Sequence, residues 1–259
     1  MTLPPIFGEE YYAHGRDVEA RHWWNAGMRD VATEIINLAQ LPATGQMLDI
    51  GCGSGQGMHW FARLRPRWNV AGLDLGMDGL RAAKMIGLRA VVLGTGVSLP
   101  VADSAIDVVI TLDMLQHLPL DGGDNEALHE IRRVLKPRGH LFIRTNVQSF
   151  PRENDDPEAV WHKYDAGELE EKLGAAGFSV IRLSRINAIL GLAEIPRAIR
   201  QARWSRERFS YEAAIAAPTS TGGLANKIKR GVLRFEGRAV RAGVRLPVGR
   251  SLVALCRRD

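Results

Sequence analysis

The run Met47-Leu-Asp-Ile-Gly-Cys-Gly-Ser-Gly55 constrains this chain more than any other segment. An apolar stretch, Gln46 to Ile50, is followed at once by glycines at 51, 53 and 55. A helical pattern comes next, Gly57 to Arg65, with Met58, Phe61, Ala62 and Leu64 on one side and Pro66 as its stop. The order predicts a strand, a tight turn and a helix. Glycine permits positive φ and occupies no side-chain space, so a ligand can lie against the backbone of such a turn. The helix behind it offers unpaired N–H groups and the positive end of its dipole. Asp49, just before the turn, would repel a pyrophosphate and suits a cationic or hydroxyl-bearing ligand. The G-x-G-x-x-G dinucleotide fingerprint fails here, because the third glycine position counted from Gly51 holds Gln56.

Strand and helix patterns then alternate. Asn69 to Leu75 is an apolar run containing Asp74, an acid 25 positions after Asp49 (74 − 49). An acid at this place can accept both hydroxyls of a ribose. Asp78 reads as the N-cap of a helix that buries Leu80, Ala83 and Met85. Further strands are expected at Arg89–Leu93, Ala105–Leu112, His140–Thr145 and Phe178–Ile186, with a last one at Ser251–Cys256. Helices are expected at Glu126–Leu135, ended by Lys136-Pro137-Arg138-Gly139, and at Glu168–Ala176, closed by Gly177. Short bounded strands separated by helices predict an α/β fold, a doubly wound Rossmann-like sheet with helices on both faces.

Two segments stand apart from the alternation. One is the aromatic-rich N-terminus, and residues 1–40 are expected to form a helical lid on a core spanning 41–186. The other, 187–249, is expected to be a basic helical insert that covers the acceptor, before the last strand in 250–259. Within the insert, Ile195, Ile199 and Ala202 alternate with Arg197, Arg200 and Arg203 in an amphipathic pattern, and Pro218 to Gly223 reads as a loop.

Composition narrows the function classes. The chain has 259 residues, 46% hydrophobic and 24% charged, which suits a folded domain with an ordinary core. Its net charge is +5, with Lys and Arg crowded between Arg197 and Arg245. Such a patch attracts phosphates, acidic substrates or a membrane surface. No recognised nucleic-acid module accompanies it, so nucleic acid is not the expected partner, and peripheral membrane contact is the alternative. Cys52 and Cys256, the two cysteines, have no second ligand at metal-binding spacing, so no metal and no disulfide framework are expected. A reducing, cytoplasmic location fits.

The motifs Leu48-Asp-Ile-Gly-Cys-Gly-Ser-Gly55, Gly72-Leu-Asp-Leu75 and Ile106-Asp-Val-Val-Ile-Thr-Leu-Asp-Met-Leu-Gln-His-Leu118 occur in this order. Leu135-Lys-Pro-Arg-Gly-His-Leu-Phe-Ile-Arg-Thr145 and Tyr164…Gly177-Phe178 follow. Together they resemble the class I S-adenosylmethionine-dependent methyltransferases of the type 11 kind, over about residues 20 to 186. The resemblance implies a seven-stranded sheet whose last strand is antiparallel and slots between the fifth and sixth. It implies S-adenosyl-L-methionine as cofactor and S-adenosyl-L-homocysteine as product. Asp49, Gly51, Gly53 and Gly55 would back the methionine part, Asp74 would hold the ribose, and Leu75 would wall the adenine. Thr111 to His117 would border the methyl donor, with Leu112 in contact. Many relatives carry an acid in the loop before Leu99-Pro100 for the adenine amino group. Here that loop is Gly94-Thr95-Gly96-Val97, with Thr95 or a backbone carbonyl as the acceptor.

The flanks resemble a narrower set. His22-Trp23-Trp24 followed by Arg29, and Glu236…Leu246-Pro-Val-Gly-Arg-Ser251, look like bacterial relatives from sugar, lipid and natural-product pathways. This implies a small-molecule acceptor. Arg29 is a candidate partner for the cofactor carboxylate. His117 is the first candidate base, with His22 and Tyr12 as others that could reach the acceptor from the lid; for each, a packing role is the commoner reading of such a residue. Two other classes remain from the residues alone: a NAD-type oxidoreductase, disfavoured by Gln56, and a non-catalytic binding protein on the same fold.

Overall fold

β1 (Gln46–Ile50), β2 (Asn69–Asp74), β3 (Val91–Leu93), β4 (Ile106–Leu112), β5 (Leu135–Asn146), β6 (Phe178–Ile186) and β7 (Ser251–Arg258) make one sheet. Their order is β3-β2-β1-β4-β5-β7-β6 in the computed structural model, which describes residues 22–119, 121–147, 162–192 and 223–259. The pairs from β3 across to β5 are parallel, whereas β7 runs antiparallel to both β5 and β6. This is the Rossmann-like α/β arrangement with the expected strand insertion.

The period-two alternation of strand side chains divides the core into two layers. Leu48, Val109, Ile143 and Leu252 face one side, with α4 (Gly123–Val134) and α5 (Ala166–Ala175) packed over them. Met47, Val108, Phe142 and Val253 face the other, under α1 (Trp23–Ile36) and α6 (Leu224–Arg241). The helices α2 (Gln56–Leu64) and α3 (Met77–Met85) follow β1 and β2. A small cluster of Cys52, Met58 and Leu80 joins them.

α1 and α6 lie against each other. A Cβ on Gly27 would stand 2.6 Å from Leu233 Cδ1, and one on Gly237 would stand 3.0 Å from the Val31 Cα. Small residues thus set the close approach of the two helices. Arg230 pairs with Asp30 at 2.7 Å, and Arg238 and Arg241 pair with Glu34 at 3.3 and 3.0 Å. Exposed pairs of this kind contribute about 0–1 kcal/mol each. Glu236, on the inner side of α6, is buried and accepts the N–H groups of Asn187, Ala188 and Ile189 at 2.7, 3.2 and 2.8 Å. The acid therefore caps the turn that leaves β6.

Some boundaries differ from those expected. Gly76, not Asp78, is the N-cap of α3; Asp78 sits in its first turn and pairs with Arg81. β5 starts at Leu135 rather than His140, because Leu135 pairs with Ile106 before the register slips to His140 opposite Val108. Lys136 in the intervening bulge binds the Asp107 carboxylate, and Arg138 takes a φ of 64°. Tyr12 and the amphipathic pattern around Ile195, Ile199 and Ala202 lie outside the described residues. Among the described residues, no helix is long and apolar enough to cross a membrane.

Candidate active site

The carboxyl ends of β1, β2 and β4 meet at the glycine turn. Gly51, Gly53 and Gly55 have φ values of 79°, 48° and 80°, all in the left-handed region. At Gly51 the restriction is also spatial, since a Cβ there would lie 2.6 Å from Met114 Cγ. The turn is tied to β2 by the Gly51 and Cys52 N–H groups, which donate to the Leu73 carbonyl at 2.8 and 3.0 Å. Asp74 completes the tie. Its Oδ2 accepts the Gly53 N–H and its Oδ1 the Gly76 N–H, both at 2.7 Å. Burial holds the Asp74 carboxyl above the ordinary carboxylate range, and these backbone donors offset part of that rise.

Asp49 is buried at the penultimate position of β1. Its Oδ2 would be 2.5 Å from a Cβ on Gly57, so a glycine in the first turn of α2 lets the helix N-terminus reach the carboxylate. The same Cβ would be 3.1 Å from Leu112 Cδ1, which brings the end of β4 to this point. Cys52 reports the local field. Burial first, then the Asp49 and Asp74 charges, push its thiol far up, so it is no nucleophile. The turn is therefore flanked by two carboxylates.

On the other side of Asp74, its carbonyl accepts the Gly94 N–H at 3.0 Å, fixing the start of the Thr95-Gly96-Val97 loop. Thr95 Oγ1 accepts the Val97 N–H at 3.4 Å, which leaves the hydroxyl hydrogen to donate elsewhere. A Cβ on Gly96 would meet Ile50 at 3.3 Å and Met114 at 3.4 Å. Met114 thus touches both the Gly51 turn and the Gly96 loop. Leu75, half-buried, follows Asp74 directly.

The segment after β4 holds contacts that the sequence does not announce. Asp113 takes a φ of 60°, uncommon for a non-glycine residue. Its carboxylate receives Arg144, from the end of β5, in a fork with contacts of 3.1, 3.1 and 2.5 Å. The Arg144 guanidinium lies 5.0 Å from the Trp24 ring centre, so α1 reaches the site through this stack. Gln116 is anchored by accepting the Asn146 N–H at 2.9 Å, which orients its amide nitrogen toward His117 Nε2 at 3.4 Å. An amide nitrogen only donates, so Nε2 is the acceptor of a neutral imidazole. Burial lowers the His117 pKa below 6.5, with Asp113 opposing the shift.

The structure brings together Asp49, Gly51, Gly53, Gly55, Asp74, Gly96 and Leu112, with Asp113 to His117 beside them. His22 has a different position: its Nδ1 accepts the Trp24 N–H at 3.3 Å as the N-cap of α1. Burial and the Lys229 charge lower its pKa. Arg29 is half-buried on α1. Met114 lies in the Thr111–His117 segment that the resemblance implied, but nothing in the sequence singles it out within that segment. The Asp113–Arg144 pair carries a sequence signal: each charge ends an apolar strand, and the two strands are neighbours.

Two carboxylates beside a glycine turn suit a ligand that combines cationic centres with ribose hydroxyls. A carboxylate has about four acceptor sites, and the backbone N–H groups of Gly53, Gly76 and Leu75 do not exhaust those of Asp74, so a ribose hydroxyl can still be accepted. The residues therefore fit S-adenosylmethionine, which carries a sulfonium and an ammonium.

The methyltransferase domain family matches residues 48–143. A probable S-adenosylmethionine-dependent methyltransferase of Mycolicibacterium smegmatis is 29% identical over 195 residues, 69% of this chain and 74% of that protein. Both matches support a class I S-adenosylmethionine-dependent methyltransferase. A ubiquinone biosynthesis O-methyltransferase of Photorhabdus laumondii is 31% identical over 106 residues, 39% of this chain and only 42% of that enzyme. Among solved structures, a Haemonchus contortus phosphoethanolamine N-methyltransferase bound to S-adenosylmethionine superposes with a TM-score of 0.62 at 16% identity. That likeness covers 98% of this methyltransferase and 58% of the nematode chain, and it concerns the fold.

Proposed function

We propose that this methyltransferase modifies a small molecule, with a sugar, glycolipid or natural product as the acceptor class. When bound, S-adenosylmethionine supplies an electrophilic methyl group on a positively charged sulfur. Asp49 and the Gly51–Gly55 turn are assigned to the methionine part, Asp74 to the ribose, and Leu75 with Thr95–Val97 to the adenine. Leu112 and Met114 wall the donor side, and Arg29 is assigned to the cofactor carboxylate. Methyl transfer is an in-line displacement, so most of the protein's work is to align the acceptor atom with the methyl carbon and exclude water. Where that atom is a hydroxyl, His117 is the assigned base, its Nε2 first giving up the Gln116 amide to take the proton. A pKa lowered by burial keeps the imidazole neutral and supports this role.

The observation that carries the reading is the pairing of Asp49 and Asp74 around one glycine turn. The small-molecule class is supported by the ubiquinone O-methyltransferase likeness and by the flanking His22-Trp23-Trp24 segment. Turnover with isotope-labelled methyl donor against phenols, sugars, glycolipids and bulk RNA tests it. Label recovered in a small-molecule product upholds the proposal; label recovered only in RNA overturns the acceptor class and leaves the methyltransferase assignment standing.

A further inference from the structure

α6 has two finished sides and one that faces outward with a definite chemistry. Inward, Leu233, Glu236, Gly237 and Val240 are buried against α1 and the sheet. Opposite them, Leu224, Ile228, Gly231 and Phe235 recur four, three and four residues apart, which aligns them in one stripe along the helix. The three large side chains in this stripe are 75%, 58% and 65% exposed. Isolated apolar side chains are ordinary on a surface, but an aligned row on one helix is not.

Beside the stripe runs a ridge of exposed cations, Lys227, Arg230, Arg234, Arg238 and Arg241, spaced three, four, four and three apart. Asp30 and Glu34 of α1 are the carboxylates paired with Arg230, Arg238 and Arg241. Five cations against two acids leave an excess of three. No ion pair among the described residues engages Lys227 or Arg234. The only acid of the helix itself, Glu236, is turned inward to cap the turn after β6.

We infer that this face of α6 docks on an anionic lipid surface, with the helix lying in the plane of the headgroups. Cations meet phosphate headgroups while Leu224, Ile228 and Phe235 enter the boundary of the acyl chains, the arrangement of an interfacial amphipathic helix. Charge decides among occupants. A second copy docked through the same face across a two-fold axis would set this excess against itself. A nucleic acid would satisfy the cations and leave the apolar row against phosphate or water. A lipid surface accommodates both features. The inference does not rest on the acceptor proposed above, since docking is measured without turnover.

The test is co-sedimentation of the full chain with vesicles of phosphatidylcholine alone and of phosphatidylcholine with phosphatidylglycerol. Sedimentation with the anionic vesicles, and its loss as salt is raised across the screening range, is expected. Ile228→Ser with Phe235→Ser should lower the bound fraction at least tenfold, and Lys227→Ser with Arg234→Ser several-fold. All four side chains are exposed, so thermal unfolding of both variants should match the parent. Equal binding to neutral and anionic vesicles, no binding to either, or unchanged binding by the serine variants would overturn the inference. Dimerisation or RNA binding that the same variants abolish, without vesicle binding, would overturn it too.

Discussion

Replacing Asp74 separates two jobs that one carboxylate performs. In Asp74→Ala the Gly53 and Gly76 N–H groups lose their partners at 2.7 Å. A buried donor left unmatched costs about 1–3 kcal/mol, and Gly76 is buried. Against this, burial raises the Asp74 pKa, so removing the charge also relieves a desolvation cost. The net loss of stability should stay near ~1–2 kcal/mol, or a fall in Tm of a few degrees, at roughly 2–4 °C per kcal/mol for chains approaching this size. Cofactor binding should suffer more. A hydroxyl bond to a charged acceptor, at about 1.5–3 kcal/mol, corresponds at its upper end to roughly a hundredfold loss of affinity. Calorimetric titration with S-adenosylhomocysteine beside thermal unfolding reads both quantities. An unchanged Kd with a lowered Tm would refute the ribose assignment and leave Asp74 a loop tie. The pH dependence has opposite signs for the two roles. Because the folded pKa lies above 3.8, the native state holds the proton more tightly than the unfolded chain. This group's contribution to stability therefore declines as pH rises through that interval. Affinity for the nucleoside should instead fall as pH drops through the raised value.

Glu236→Ala leaves the buried Asn187 and Ala188 N–H groups unmatched and should cost about 2–6 kcal/mol, at about 1–3 kcal/mol per donor; urea unfolding that shows under 1 kcal/mol would contradict the capping role. His117 is neutral at pH 7, since its folded pKa lies below 6.5. For a hydroxyl acceptor, kcat/KM should hold down to that point and fall on the acid side, and His117→Gln should remove this limb; a profile unchanged by the substitution would exclude it as base. Arg144→Met strands the Asp113 carboxylate and releases the segment carrying Met114 and His117. Its kcat/KM should fall by about 10–100-fold, the scale of 1.4–2.7 kcal/mol, and a parent-like value would show that the pair is ornamental to turnover.

What the sequence determines here is local and periodic. Gln46–Ile50 and Phe178–Ile186 were legible residue for residue, because an apolar run bounded by glycine or helix signals has few other ways to be buried. Glycines at 51, 53 and 55 announced a turn with positive φ, and all three have it. The antiparallel β7 was legible only through resemblance, since an apolar run carries no direction. Tertiary structure decided the rest. The start of β5 depended on a bulge opposite Asp107, which no window of sequence reveals. Met114 entered the site because the end of β4 returns to the Gly51 turn, and Asp113 met Arg144 because β4 and β5 are neighbours. His22 looked like a site residue by type and became a helix cap by position. Periodicity follows from the backbone geometry of each element, so the chain shows it directly. Which charges face each other depends on strand order and register, which are properties of the whole sheet.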